Sequence, residues 1–154
     1  MGAVTAYSYN QILLTGQEYA IKDERVAAEA GIYPGMLLDI DSNGKFELQD
    51  ASETIAPMIV AMEDDMEGKT VDDVYTISRQ VQARWIPRGA QFMGYLAANH
   101  SVVIGSRLTS AGYESPGAFG LAEKSSAHLG SGVMAIALEA ITTATGGLCL
   151  MQAL

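Results

Sequence analysis

The sequence predicts an all-β fold: a small β-barrel or tulip-like domain made of two similar halves, preceded by an extended N-terminal arm. Three observations predict it. Short apolar runs of strand length alternate with Gly, Pro, Asn and Ser turns along most of the chain. Almost nothing reads as a long helix. The order of turns and strands also returns: Gly35 and Leu38 answer to Gly105 and Leu108, Gly44 to Gly112, and Ile59-Val60-Ala61-Met62-Glu63 to Ala135-Ile136-Ala137-Leu138-Glu139. Chance similarity is the alternative to a true repeat, because the vocabulary of short strands is small.

Residues 1–16 form the expected arm and 17–154 the domain. Residues 2–15 carry Val4, Tyr7, Tyr9, Ile12, Leu13 and Leu14 and no charge at all. Two readings stand for this stretch: an ordinary first strand, or an arm that packs on another subunit, since uncharged aromatic termini are costly to leave in water. On the second reading those six residues are the candidate interface, and residues 2–14 are dispensable for folding. Residues 17–31 hold the first charges, and Val26 to Ala30 suggests one helical turn that Gly31 and Pro34 stop.

Pro34-Gly35 then turns the chain into an apolar strand, Met36 to Ile40. Asn43-Gly44 is a hairpin signal, both residues accepting positive φ, and leads into the alternating run from Lys45 to Leu48. Pro57 to Met62 reads as a buried strand, and Asp65 to Asp73 as an acidic crossing. Val74 to Ile86 alternates with a fault in parity near Tyr75, which predicts a bulge or break. Gln91 to Ala97 is a strand in which Gly94 marks a close approach. Asn99-His100 turns into Val102 to Ile104. A Gly/Ser/Ala-rich loop fills residues 112–132, with Phe119, Leu121 and Leu129 as anchors, and Val133 to Glu139 and Leu148 to Gln152 close the domain.

Composition narrows the function. A chain of 154 residues suits one domain with its own core. The net charge of −9 makes nucleic acid and anionic membranes poor partners. The single cysteine, Cys149, forbids an intrachain disulfide and lies in an apolar run, as a small core residue does. The start has neither the basic residues nor the apolar core of a signal peptide, and the apolar tail is too short to span a bilayer.

Motifs for chemistry are scarce. Asp39-Ile40-Asp41-Ser42-Asn43-Gly44, with Glu47 and Asp50 beyond it, has the oxygen spacing of a calcium loop, but its flanks are strand and turn, so it reads as a solvated hairpin. The run Glu63, Asp64, Asp65, Glu67, Asp72, Asp73 reads as a solvated acidic loop. His100 and His128 have no neighbouring Cys or His, so a transition metal lacks ligands. There is no Gly-x-Ser-x-Gly and no phosphate loop with its lysine. The expectation is a protein that is not an enzyme and holds no cofactor or metal. Trp85, Tyr75, Tyr95, Phe92 and Phe119 read as core, with a glycan- or ligand-binding barrel as the alternative should several of them share an exposed face.

The turn-and-strand series resembles the small capsid decoration, or cement, proteins of tailed bacteriophages. The residues that carry it are Pro34-Gly35-Met36-Leu37-Leu38 with Gly44, Ile59 to Asp64, Ile86-Pro87-Arg88-Gly89, Leu96-Ala97, Val103 to Leu108 with Gly112, and Ala135 to Ala140. The chain departs from that pattern at Ala90, where such proteins often carry an acidic residue after the glycine, and in its long Gly/Ser loop. The resemblance implies a virion protein on the outer capsid surface. Its partners would be the major capsid protein and further copies of itself, as homo-dimer or homo-trimer, with neighbouring capsid subunits bridged against the pressure of packaged DNA.

Overall fold

The computed structural model describes residues 11–50, 58–112, 115–121 and 133–154. It is all-β, with twelve strands and no α-helix among those residues. Five strands make the first half: β1 (Ile21–Val26), β2 (Leu37–Ile40), β3 (Phe46–Leu48), β4 (Ile59–Ala61) and β5 (Gln80–Trp85). The second half holds β6 (Gln91–Leu96), β7 (His100–Val102), β8 (Arg107–Ser110), β9 (Phe119–Leu121), β10 (Ala135–Ala137), β11 (Ile141–Thr143) and β12 (Gly147–Ala153).

The two halves repeat one topology. The first sheet runs β1-β5-β4-β2-β3, and the second is a closed barrel, β10-β12-β6-β9-β8. Read from β6, the barrel order is β6-β12-β10-β8-β9, so β1 to β5 correspond to β6, β8, β9, β10 and β12. The register agrees residue by residue: Leu38 lies opposite Ile59, and Leu108 opposite Ala135, as the sequence repeat pairs them. The barrel closes through the parallel contact of Leu96 with Phe119. In the first half the matching contact is one parallel bridge, Ala27 with Phe46. Ala28 N–H donates to the Phe46 carbonyl, and Ala97 N–H to the Phe119 carbonyl, each at 2.8 Å. Each half wraps its own core: Phe46, Leu38, Ile59 and Val81 in the first, Phe92, Leu96, Phe119 and Met151 in the second.

Local chemistry explains most boundaries. The β2–β3 hairpin is a turn with Gly44 at φ 77°, Gly44 N–H donating to the Asp41 carbonyl at 3.0 Å and Asp41 N–H to Lys45 at 2.8 Å. Asn43 keeps negative φ, unlike the expectation for the pair. The parity fault near Tyr75 is a break: Tyr75 bridges Ile32 alone, Ser78 has φ 67°, and β5 starts at Gln80. A methyl group at Gly94 would overlap Met151 Sδ, which is the close approach expected there.

Other features differ from the sequence reading. Val26 ends a strand and starts no helical turn; β1 carries its charges Lys22 and Glu24 on an exposed face. Phe119 anchors the Gly/Ser-rich loop as part of strand β9, while Leu121 is exposed, and Leu129 lies outside the described residues. The connection between the hairpin strands is longer in the second half, residues 111–118 against 41–45, so the match of Gly44 with Gly112 does not extend to β3 and β9.

Polar and apolar contacts tie the halves together. Gln49 is buried and accepts the Ser110 hydroxyl hydrogen bond, while Leu37 N–H donates to the Gly117 carbonyl at 2.7 Å. Gly35, in the turn Tyr33–Met36, presses on β6 and β12: its carbonyl accepts from Tyr95 N–H at 2.9 Å, and Tyr33 stacks on Tyr95 with centroids 5.9 Å apart.

Candidate functional site

Of the six arm residues, Val4, Tyr7 and Tyr9 lie outside the described residues. The other three lie along β6. Ile12 and Leu13 are buried in the core of the second half, and Leu14 is half-buried against it. The backbone here pairs with β6: Met93 N–H donates to the Ile12 carbonyl at 2.7 Å, Leu14 N–H to the Gln91 carbonyl at 2.9 Å, and Leu13 makes an isolated bridge with Phe92. Glu63 fixes the start of this segment by accepting from Ile12 N–H at 3.0 Å. Residues 12–15 therefore lie along the edge of β6, held to it by backbone hydrogen bonds and one bridge.

Two adjoining grooves lie over the outer face of β1 and β5. The larger, of about 480 Å³, is lined by Glu24, Gln80, Gln82, Met66, Val74 and Tyr75 among others. The second, of about 400 Å³, shares Glu24, Met66 and Gln82 and extends to Leu13, Lys22 and Arg84. Met66 stands on a 3-10 turn (Asp65–Glu67) that Asp64 caps through Glu67 N–H, and it is 80% exposed. Asp73 accepts from the N–H and hydroxyl of Thr70, which holds its carboxyl below the usual range. The acidic crossing is thus a set of self-capped turns forming the rim of a groove.

A second exposed apolar feature is the turn Val103–Ser106. Val103 is 64% and Ile104 71% exposed, while Ser106 N–H donates to the Val103 carbonyl and Ser106 Oγ accepts from Val103 N–H, both at 3.0 Å. The sequence reading placed both apolar residues in a strand; β7 ends at Val102. Gly105 was the available signal, as the repeat of Gly35.

The residues singled out for chemistry are spread apart or engaged. Asp41 Oδ1 accepts from Asn43 and Lys45 N–H at 2.8 Å each, so the Asp39–Asp50 loop uses this carboxylate on its own backbone. Glu47, opposite Asp39, has its carboxyl raised by burial and then by the charges of Asp41, Asp39, Glu29 and Asp50. No group of three or more metal-capable side chains occurs among the described residues. Cys149 is buried and its thiol is pushed up to about 12, by desolvation first and the Glu139 carboxylate second. His100 Nδ1 lies 3.0 Å from the Ala98 carbonyl. Of the aromatics read as core, Phe92 and Phe119 pack at 5.7 Å, Tyr75 is buried, and Trp85 and Tyr95 are partly buried.

No protein-family profile matches the sequence, and no curated protein matches it. Among solved structures the chain is similar to the N base of the head fiber protein gp8.5 of bacteriophage phi29, with a TM-score of 0.54 and 14% identity over 88% of this chain and 94% of that one. At that identity the likeness is one of fold, and it spans nearly the whole of both chains.

Proposed function

We propose that this protein is a structural component of a phage head, attached to the outer surface of the capsid and bridging neighbouring major capsid protein subunits. The observation that carries the reading is the fold, shared over almost its full length with a head-fiber base. The turn-and-strand resemblance to decoration proteins points the same way. The net charge of −9 suits an outer surface and disfavours contact with packaged DNA. In this reading the protein transforms no substrate. It works by adhesion, and many copies on one lattice add modest contacts into firm attachment.

The test is co-sedimentation with heads of the phage that encodes it, stripped of the protein. Saturable pelleting, together with DNA retained to higher temperature than in bare heads, is the expected result. Protein that stays in the supernatant at all concentrations overturns the attachment. Protein that binds without changing DNA retention overturns the bridging.

A further inference from the structure

The internal repeat places a turn against a strand edge once inside the chain and supplies a second such turn and a second such edge, which no described residue covers. Within the chain, the turn Tyr33-Pro34-Gly35-Met36 docks on the outer edge of β6. Gly35 accepts from Tyr95 N–H, and a methyl group on Gly35 would lie 2.6 Å from Leu148 Cδ2 and 2.9 Å from the Met93 carbonyl oxygen. The second half repeats the turn as Val103-Ile104-Gly105-Ser106. Gly35 N–H donates to Ala61, and Gly105 N–H to Ala137, each at 2.8 Å; the two glycines have φ 91° and 89°. Yet a methyl group on Gly105 would meet nothing within 4 Å among the described residues. The same knob is seated in one half and bare in the other.

The seat is repeated too. The register that equates Ala27 with Leu96 places Glu24 where β6 has Met93 and Val26 where it has Tyr95. The register of β5 with β12 places Gln80 where Leu148 stands. On β6 the outward N–H groups of Met93 and Tyr95 are taken by Ile12 and Gly35. On β1 the matching N–H groups of Glu24 and Val26 point to an edge that no strand among the described residues covers, and Glu24 and Gln80 line the larger groove. The side-chain pair changes in concert: Tyr33 on Tyr95 inside the chain becomes Val103 and Val26, apolar in both places. Exposed Met66 and Val74 supply apolar surface at the groove rim.

We propose that the Val103–Ser106 turn of one copy seats on the β1 edge and adjoining groove of a second copy, repeating between molecules the contact that Tyr33–Met36 makes within one. The Gly105 carbonyl accepts from Val26 N–H, Val103 packs on Val26, and Ile104 lies against the rim. Such a contact is head-to-tail, so it closes into a ring or runs on as a filament. It is smaller than a standard interface of about 1,600 Å² and polar at Glu24 and Gln80, so it is expected to be weak in solution, with a dissociation constant of roughly millimolar order. Crowding of copies on a surface would favour it. The inference rests on the chain's own repeat; it names how copies meet if they coat a head but does not depend on that reading.

Sedimentation velocity over a concentration series tests it. Wild-type protein is expected to gain mass with concentration. Ile104→Asp removes the knob, and Val26→Glu or, at an exposed position, Met66→Asp spoils the seat; each variant alone is expected to stay monomeric with an unchanged melting temperature. An equimolar mixture of Ile104→Asp with a seat variant retains one good knob and one good seat, so it is expected to form one-to-one dimers and nothing larger. A wild type that stays monomeric into the millimolar range overturns the proposal. So does an Ile104→Asp variant that associates like wild type, or a mixture that fails to pair. A monomer that still coats heads overturns this contact alone and leaves the attachment standing.

Discussion

Among the described residues, Tyr75 and Cys149 are the two groups whose surroundings most oppose ionisation. The Tyr75 hydroxyl donates to the Met62 carbonyl at 2.7 Å and accepts from Gln82 N–H at 3.3 Å. Burial raises this phenol well above its ordinary value of 10, and raises the Cys149 thiol from 9 to about 12. In the unfolded chain both ionise near their ordinary values, while the folded chain keeps both protonated. The unfolded state therefore binds fewer protons above about pH 9, and stability is expected to fall as pH rises from about 9 towards 12. Urea midpoints between pH 8 and 11 measure this, and Cys149→Ala should flatten the early part of the slope. An identical slope in that variant would contradict the assignment. A pair of glycines gives a second residue-scale prediction. Gly105→Ala adds a methyl into open space at positive φ and is expected to cost about 1 kcal/mol. Gly35→Ala adds the same strain plus overlap with Leu148 and the Met93 carbonyl, for a total of about 2–4 kcal/mol. Equal losses in urea denaturation would mean that the Gly35 turn is not seated as described.

At the scale of elements, the N-terminal segment along β6 decides what can be removed. Ile12 and Leu13 are almost fully buried, and burial of such side chains stabilises by about 1.5–3 kcal/mol each. Deleting residues 2–14 is thus expected to cost at least about 3–6 kcal/mol and to uncover the β6 edge, a large part of the roughly 5–15 kcal/mol of a typical domain. Deleting residues 2–10 removes none of these contacts and is expected to cost less by the contribution of Ile12 and Leu13; scanning calorimetry of the two truncations distinguishes them. The interface experiment on the arm therefore belongs to the shorter deletion. What was legible in the sequence follows the same logic. Turn chemistry at Pro34-Gly35 and Asn43-Gly44 and the buried runs at β4 and β10 declare themselves locally, and so does their repetition. Strand β1 did not, because one face is solvated and its charges Lys22 and Glu24 break the apolar pattern. Strand β9 is three residues in a Gly/Ser-rich stretch and exists because Phe119 closes the barrel, a contact distant in sequence. The exposed Val103–Ile104 turn was hidden for a related reason. A repeat in sequence shows that two turns have the same shape, but not which of them has a neighbour to cover it.

At the scale of the whole molecule, the two halves are cross-braced strongly enough to act as one unit. The segment Ile12 to Thr15 lies on β6 before the chain enters the first half, so the core of the second half is completed by residues that precede the first. The Gly35 turn sits on β6 and β12, and the buried Gln49–Ser110 pair and the Leu37–Gly117 hydrogen bond join the hairpin of one half to that of the other. Separating the halves would expose Tyr95 and Leu148 and leave Gln49 without its partner, a cost that opposes independent unfolding. The chain carries one tryptophan, Trp85, on β5 of the first half, its indole N–H donating to Asp23 at 3.2 Å. Its fluorescence reports the first half alone, whereas far-ultraviolet circular dichroism reports both. The two probes are expected to give coincident urea transitions. Phe119→Ala, a truncation in the core of the second half expected to cost about 3–5 kcal/mol, should lower the Trp85 transition by as much as the dichroism transition. If the Trp85 midpoint stays in place while the dichroism curve splits, the halves are separate domains that merely touch, and the contact proposed between copies would lose the internal interface that serves as its template.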